Sequence, residues 1–122
     1  MTSIPNPVLQ LYRLRSLNVS GNRISSLSPL ICNLSKLREL DLSNNELTEL
    51  PRGLFHLNRL QQLILADNQL TEIPFFIHEL HNLQDLDLDG NKITYVYNDL
   101  GSLAELRRLK LRRNNLIEVH SL

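Results

Sequence analysis

Residues 37–47 read LRELDLSNNEL, and the same arrangement returns at residues 60–70 as LQQLILADNQL and at residues 83–93 as LQDLDLDGNKI. In each stretch leucine or isoleucine holds the first, fourth, sixth and eleventh positions, and asparagine holds the ninth. Two further copies lie at residues 14–24 and 106–116, so that each copy begins 23 residues after the one before it. Five copies in one phase indicate a repeat protein whose units contact mainly their neighbours.

Each copy contains one short strand and one closing asparagine. Leu63-Ile64-Leu65 and its counterparts alternate as a strand does, with the leucines facing inward. A unit with a single strand must pair its main chain with the next unit, which predicts a parallel sheet. The amide of asparagine both donates and accepts hydrogen bonds, so stacked asparagines can satisfy the main chain of a buried turn.

The second half of each unit has a different spacing. Ile31, Leu54, Ile77 and Leu100 are each followed by a leucine three residues later. This helical spacing predicts a short helix or 3₁₀ turn on the outer side of the stack. A narrow sheet against a wider outer layer should curve, with the sheet on the concave side.

These patterns resemble the leucine-rich repeat family, whose core pattern is L-x-x-L-x-L-x-x-N-x-L. The tails Leu50-Pro51-x-x-Leu54 and Ile73-Pro74-x-x-Ile77 are similar to those of the 23-residue Ras-group and LAP-type intracellular proteins. Ser28, Tyr97 and His120 stand where the proline would fall. The resemblance implies an α/β solenoid, a curved horseshoe segment with a parallel concave sheet and short convex turns. It also implies a structural asparagine ladder formed by Asn22, Asn45, Asn68, Asn91 and Asn114.

One repeat domain covers residues 1–122 in this interpretation. It consists of a half unit at 4–13, full units at 14–36, 37–59, 60–82 and 83–105, and a partial unit at 106–122. Neither end carries a polar cap, which solenoids normally need for solubility. We therefore expect a piece of a longer array, an incomplete gene product or a protein whose end is covered by a partner. The apolar end would be formed by Leu106, Leu109, Leu111, Leu116 and Val119.

The outward positions of the strands are the candidate binding surface. The partner-binding candidates are Arg38, Glu39, Asp41, Gln62, Ile64, Asp85, Asp87, Asp89, Arg108, Lys110 and Arg112. Ile64 is an apolar residue among charged ones, which is the anatomy of a binding hot spot, although single exposed apolar residues are also ordinary.

Two charged strands adjoin in this prediction, and each has two interpretations. Asp85, Asp87 and Asp89 should pair with Arg108, Lys110 and Arg112, either merely neutralising one another or forming a charged docking surface. The cations of the last strand would bind a partner or protect an open sheet edge.

Four aromatic residues are predicted on the outer side. Phe75 and Phe76 follow Pro74, and Tyr95 and Tyr97 belong to the next unit. We expect them to pack between neighbouring outer turns, with a convex contact site as the alternative.

No motif for catalysis, metal or cofactor binding is present in the sequence. His78-Glu79-Leu80-His81 is not the H-E-x-x-H zinc motif, because its histidines are three residues apart. Carboxylates such as Asp85 and Asp87 would lie on an open sheet, whereas a catalytic pair needs a pocket that excludes water. We therefore expect a protein that is not an enzyme and that needs no cofactor.

Charge and hydropathy restrict the partners. Thirteen basic and thirteen acidic residues give a formal net charge of zero, which argues against nucleic acid. The chain has no apolar run of transmembrane length, no visible signal peptide and one cysteine, Cys32, so we expect an intracellular, cytoplasmic protein.

The favoured function is a protein–protein interaction module of a scaffold or signalling adaptor. The resemblance implies a partner such as a small GTPase or a phosphatase subunit. The alternatives are a regulatory segment of a larger kinase, cyclase or nuclease whose catalytic domain lies outside this chain, and extracellular recognition.

Overall fold

The computed structural model describes residues 1–96 and 98–119, in which short strands alternate with 3₁₀ turns. Tyr97 and His120, two of the positions where proline is replaced, lie outside the described residues. The elements in chain order are η1 (Val8–Gln10), β1 (Ser16–Asn18), η2 (Pro29–Asn33), β2 (Glu39–Asp41), η3 (Arg52–His56), β3 (Gln62–Ile64), η4 (Phe75–Glu79), β4 (Asp85–Asp87), β5 (Tyr95–Val96), η5 (Asn98–Ser102), β6 (Arg108–Lys110) and β7 (Glu118–Val119).

The repeated strands form one parallel sheet in the order β1-β2-β3-β4-β6. Each strand pairs with its neighbour in the register of the repeat, so that Leu40 lies beside Leu63 and Leu63 beside Leu86. The parallel sheet predicted from one strand per unit is confirmed. A second pairing was not predicted: β5 and β7 form a small parallel sheet, with Tyr95 opposite Glu118.

The outer layer consists of 3₁₀ turns. The η2, η3 and η4 turns begin directly after Ser28, Pro51 and Pro74. Proline suits this position because its φ is fixed and no amide donor is needed there. Ser28 replaces proline in the first unit and caps the turn by accepting a hydrogen bond from the Leu30 amide at 3.1 Å. The turns pack against one another from unit to unit.

The core lies between the sheet and the 3₁₀ turns. Inward leucines of the strands, such as Leu63, pack with Leu54 and Ile77 of the turns, and all three are buried. At the end of the sheet, by contrast, Leu109 is 37% exposed and Leu116 is 38% exposed. Val119 is described there only in its main chain. The last described strand of the sheet therefore has an apolar inner side that is partly open to solvent.

The asparagines connect successive units. Asn68 accepts a hydrogen bond from the Leu47 amide at 3.0 Å and donates to the carbonyl oxygens of Leu42 and Leu65. The same bonds recur at Asn45, Asn91 and Asn114. Each amide thus satisfies main-chain groups of two units, which holds the strand ends at one level.

Candidate functional site

The exposed side of the five-stranded sheet, called the strand face below, carries two rows of side chains. The register of the strands sets both rows. One row consists of Ser16, Glu39, Gln62, Asp85 and Arg108, and the other of Asn18, Asp41, Ile64, Asp87 and Lys110. Both rows change from acidic to basic between β4 and β6.

A shallow hollow lies where the rows change sign. Its volume is about 60 Å³, and it brings together Gln62, Ile64, Asp85, Asp87, Arg108 and Lys110. Six of the predicted partner-binding residues therefore line one hollow. The side chain of Ile64 is half-buried between Asp41 and Asp87 of the neighbouring strands.

Asp41 and Asp87 also have a local structural role. Asp41 Oδ1 accepts hydrogen bonds from the Ser43 amide at 3.0 Å and the Ser43 hydroxyl at 2.7 Å. Asp87 Oδ1 accepts from the Asp89 amide at 3.0 Å. A carboxylate that binds the amide two residues later forms an Asx turn, so these aspartates end their strands while lying on the strand face.

The expectation that Asp89 faces the open surface is wrong. Asp89 is 4% exposed, and its carboxylate accepts from the main-chain amide of Arg112 at 2.7 Å. Its second oxygen lies 3.0 Å from Nη2 of Arg112. A buried carboxylate is tolerated when it is paired and hydrogen-bonded, and the Arg112 amide and guanidinium provide both.

The three predicted charge pairs differ in the structure. Arg112 and Asp89 form a close pair, whereas Arg108 Nε lies 3.9 Å from Asp85 Oδ1. Asp87 and Lys110 are in register, but no ion pair between them is found in the described part of the chain. Two of the three predicted pairs therefore form, and the predicted pair of Asp87 with Lys110 is wrong for the described residues, because strand register fixes main-chain neighbours and leaves long side chains free to diverge.

Other predicted residues lie at the margins of the hollow. Glu39 and Asp41 occupy β2, one strand beyond Gln62 and Ile64. Arg38 precedes β2 and lines a different hollow with Arg59, Gln61 and Asn82.

A further row follows the strands, and its left-handed main-chain conformation was not predicted from the sequence. Gly21, Asn44, Asp67, Gly90 and Arg113 share one position in their repeats, and all have φ between 53° and 70°. Gly, Asn and Asp favour this left-handed region, and their 23-residue recurrence was the available signal. Arg113 Nη1 lies 2.9 Å from Asp67 Oδ1, reaching past Gly90. This hydrogen bond raises the pKa of the Arg113 guanidinium above its ordinary value.

The outer aromatic residues pack only in part as expected. The ring of Phe76 lies 6.4 Å from that of buried Phe55 in the preceding turn, as the packing interpretation predicts. Phe75 is 58% exposed, however, and its ring contacts Phe76 and His78 edge-on. Tyr95 is half-buried in β5, and Tyr97 lies outside the described residues.

The described residues contain no group of three His, Cys, Asp or Glu side chains close enough to hold a metal ion. Cys32 is a half-buried free thiol. Nor does the described part include a helix with the length and apolar character needed to cross a membrane.

Comparison with known families decides what kind of protein this is. A family model of leucine-rich repeat regions matches residues 5–121. The chain belongs to the leucine-rich repeat family. No curated protein matches the chain by sequence. The finer assignment to the 23-residue, proline-containing subtype stays a prediction.

Solved leucine-rich repeat structures share the fold. A leucine-rich repeat protein of Leptospira interrogans superposes with a TM-score of 0.92 at 30% identity, covering 97% of this chain and 30% of its own. The internalin InlF of Listeria monocytogenes gives 0.83 at 26% identity, covering 95% and 34%. A plant peptide hormone receptor, RGFR1, in complex with RGF2, gives 0.81 at 31% identity, covering 93% and 19%.

This leucine-rich repeat chain thus spans about a third or less of the length of these neighbours. The high TM-scores confirm the predicted solenoid fold. Leucine-rich repeats commonly serve as protein–protein interaction modules.

Proposed function

We propose that this chain is a protein-interaction module of an intracellular scaffold or signalling adaptor, and that it binds a partner protein on its strand face. The observation that carries this proposal is the row Asp41–Ile64–Asp87, which places a half-buried apolar side chain between two carboxylates beside a hollow. An apolar centre with a charged rim is the anatomy of a binding hot spot.

The chemistry of the face defines the partner segment that fits it. Ile64 offers an apolar contact, while Asp41 and Asp87 offer acceptors on either side. The hollow continues to Arg108 and Lys110, so that one of its sides is acidic and the other basic. A partner segment would match this surface if it carried an apolar side chain with a cation on one side and an anion on the other. The cation would face the aspartates, and the anion would face Arg108 and Lys110 on the next strand.

The fold of the relatives supports the same proposal. The receptor structure contains RGF2, and an open sheet provides surface without enclosing a substrate. A module that binds a protein segment needs complementarity over an extended surface rather than a deep pocket.

Affinity capture from a lysate of the source cells tests this function. The immobilised wild-type chain is compared with Ile64→Glu and with Leu30→Glu, which makes the same change at an outer leucine that is 51% exposed. Proteins retained by the wild type and by Leu30→Glu should be lost with Ile64→Glu. Gln62→Arg provides a second strand-face variant, and circular dichroism confirms that each variant is folded.

Equal retention by Ile64→Glu and Leu30→Glu would contradict the proposal. Loss with Leu30→Glu alone would move the binding surface to the outer turns.

A further inference from the structure

A cleft on the outer side of the second and third full units is separate from the strand face. We call it the outer cleft. It has a volume of about 370 Å³, and its walls include Glu49, Arg52, Glu72, Phe75 and Phe76. In both units the sequence Thr-Glu precedes the apolar residue and proline that lead into η3 and η4, and these Thr-Glu residues line the cleft.

Aromatic surface is exposed at this cleft. Phe75 is mostly exposed, and the ring of Phe76 lies 5.7 Å from it at a nearly perpendicular angle. Exposed pairs of large aromatic side chains are uncommon on a free surface and typical of contact sites. The buried ring of Phe55 supports Phe76 from beneath, so the aromatic wall has a fixed position.

The guanidinium of Arg52, which lines the cleft, is already engaged. Both terminal nitrogens of Arg52 bond the Glu79 carboxylate, at 2.7 and 2.9 Å. The guanidinium also lies 3.9 Å from the centre of the Phe76 ring. This bidentate, stacked arrangement fixes Arg52 in place and neutralises its charge.

Two carboxylates remain without a counter-charge. Glu49 and Glu72 occupy the same position in consecutive units, and both are exposed. Neither forms an ion pair within residues 1–96 and 98–119. With Arg52 neutralised by Glu79, the lining of the cleft has an excess of negative charge next to exposed aromatic rings.

We infer that the outer cleft is a second docking site, for an extended partner segment that presents a lysine or arginine within a few residues of an apolar side chain. The cation would lie between Glu49 and Glu72, and the apolar side chain would lie against Phe75 and Phe76. Charge complementarity selects this occupant over an acidic or purely apolar one.

An NMR titration of the ¹⁵N-labelled chain tests the inference. The probe is the peptide acetyl-Gly-Lys-Leu-Phe-Lys-Gly-amide at millimolar concentration, compared with a peptide in which glutamates replace both lysines. The basic peptide should shift the amides of Thr48, Glu49, Glu72 and Phe75, and the acidic peptide should not. The dissociation constant of the basic peptide should rise about tenfold with Phe75→Ser. It should rise about three- to tenfold with the double substitution Glu49→Gln/Glu72→Gln.

Two controls separate this site from other surfaces. Glu46→Gln removes an exposed carboxylate that does not line the cleft and should leave the affinity unchanged. Ile64→Glu alters the strand face and should also leave the affinity for the basic peptide unchanged. The proposal for the outer cleft and the proposed function can therefore fail independently.

Three results would overturn the inference. The first is equal binding of the basic and acidic peptides. The second is an absence of shifts at the cleft, including shifts confined to the strand face. The third is a change in the chemical shifts of the cleft amides with protein concentration alone, since that change would identify the occupant as a second copy of this chain.

Discussion

The Asp89 carboxylate binds both the main chain and the side chain of Arg112: one carboxylate oxygen lies 2.7 Å from the Arg112 amide and the other 3.0 Å from the Arg112 guanidinium. The two residues are 23 positions apart, at the same place in consecutive units. The buried carboxylate thus joins the fourth full unit to the partial unit that follows.

Asp89→Ala should therefore lower the free energy of unfolding by about 1.5–3 kcal/mol, because it leaves the Arg112 amide without its acceptor. Urea denaturation followed by circular dichroism measures the change. Glu46→Ala, which removes an exposed carboxylate, should stay within about 0.5 kcal/mol of the wild type. Equal effects of the two substitutions would show that the Asp89 bonds contribute nothing to stability.

Asn68→Ala should destabilise the chain more than Asn22→Ala. Asn68 is buried and bonds main-chain groups of two units, so its loss leaves several buried polar groups unpaired, at a cost of about 1–3 kcal/mol each. Asn22 is half-buried: its oxygen accepts from the amino terminus at 3.1 Å, and its amide nitrogen donates to carbonyl oxygens of its own unit. Chemical denaturation of both variants gives the comparison, and an equal loss of stability would contradict a structural role that depends on burial.

Gly53→Ala should cost about 1–3 kcal/mol, since a methyl group there would lie 2.7 Å from the carbonyl oxygen of Pro29 in the neighbouring turn. Gly101→Ala is the matched control, because nothing lies within 4 Å of its added carbon. That variant should be neutral or more stable, as alanine restricts the unfolded chain. Thermal melting of both proteins distinguishes the two positions, and a neutral Gly53→Ala would mean that η2 and η3 are not in close contact.

The hydrogen bond from Arg52 lowers the pKa of Glu79 below its ordinary value of 4.5. A lowered folded-state pKa stabilises the protein above the unfolded value, and this stabilisation is lost as the pH falls through the lowered one. Arg52→Gln should therefore raise the pKa of Glu79 toward its ordinary value in a ¹³C carboxyl titration. Arg59→Gln, at an exposed arginine outside this contact, should leave the pKa of Glu79 lowered. An unchanged Glu79 titration in Arg52→Gln would refute the pairing.

The sheet could be predicted from the sequence because a 23-residue period fixes both the register and the inward side of every strand. The leucines of β2, β3 and β4 needed no further information. The burial of Asp89 could not be predicted in this way. It depends on how the chain turns after the strand, where the alternation of inward and outward positions no longer applies.

The left-handed main-chain conformation of the turn after each strand was also only partly predictable from the sequence. Gly21 and Gly90 occupy a turn position that Arg113 also adopts, at a φ of 54°. Arginine gives no sequence signal for such a conformation. The outer cleft was equally hidden, since the pairing of Arg52 with Glu79 joins residues 27 positions apart and arises only when two turns pack.

Photo-cross-linking in the source cells tests whether the strand face binds a partner protein. Benzoylphenylalanine is placed at Gln62 on the strand face or at exposed Asn33 on the outer side. We expect one discrete cross-linked protein from position 62, its loss when Ile64→Glu is added, and none from position 33. Cross-linking from position 33 alone, from neither position, or undiminished by Ile64→Glu would contradict this expectation.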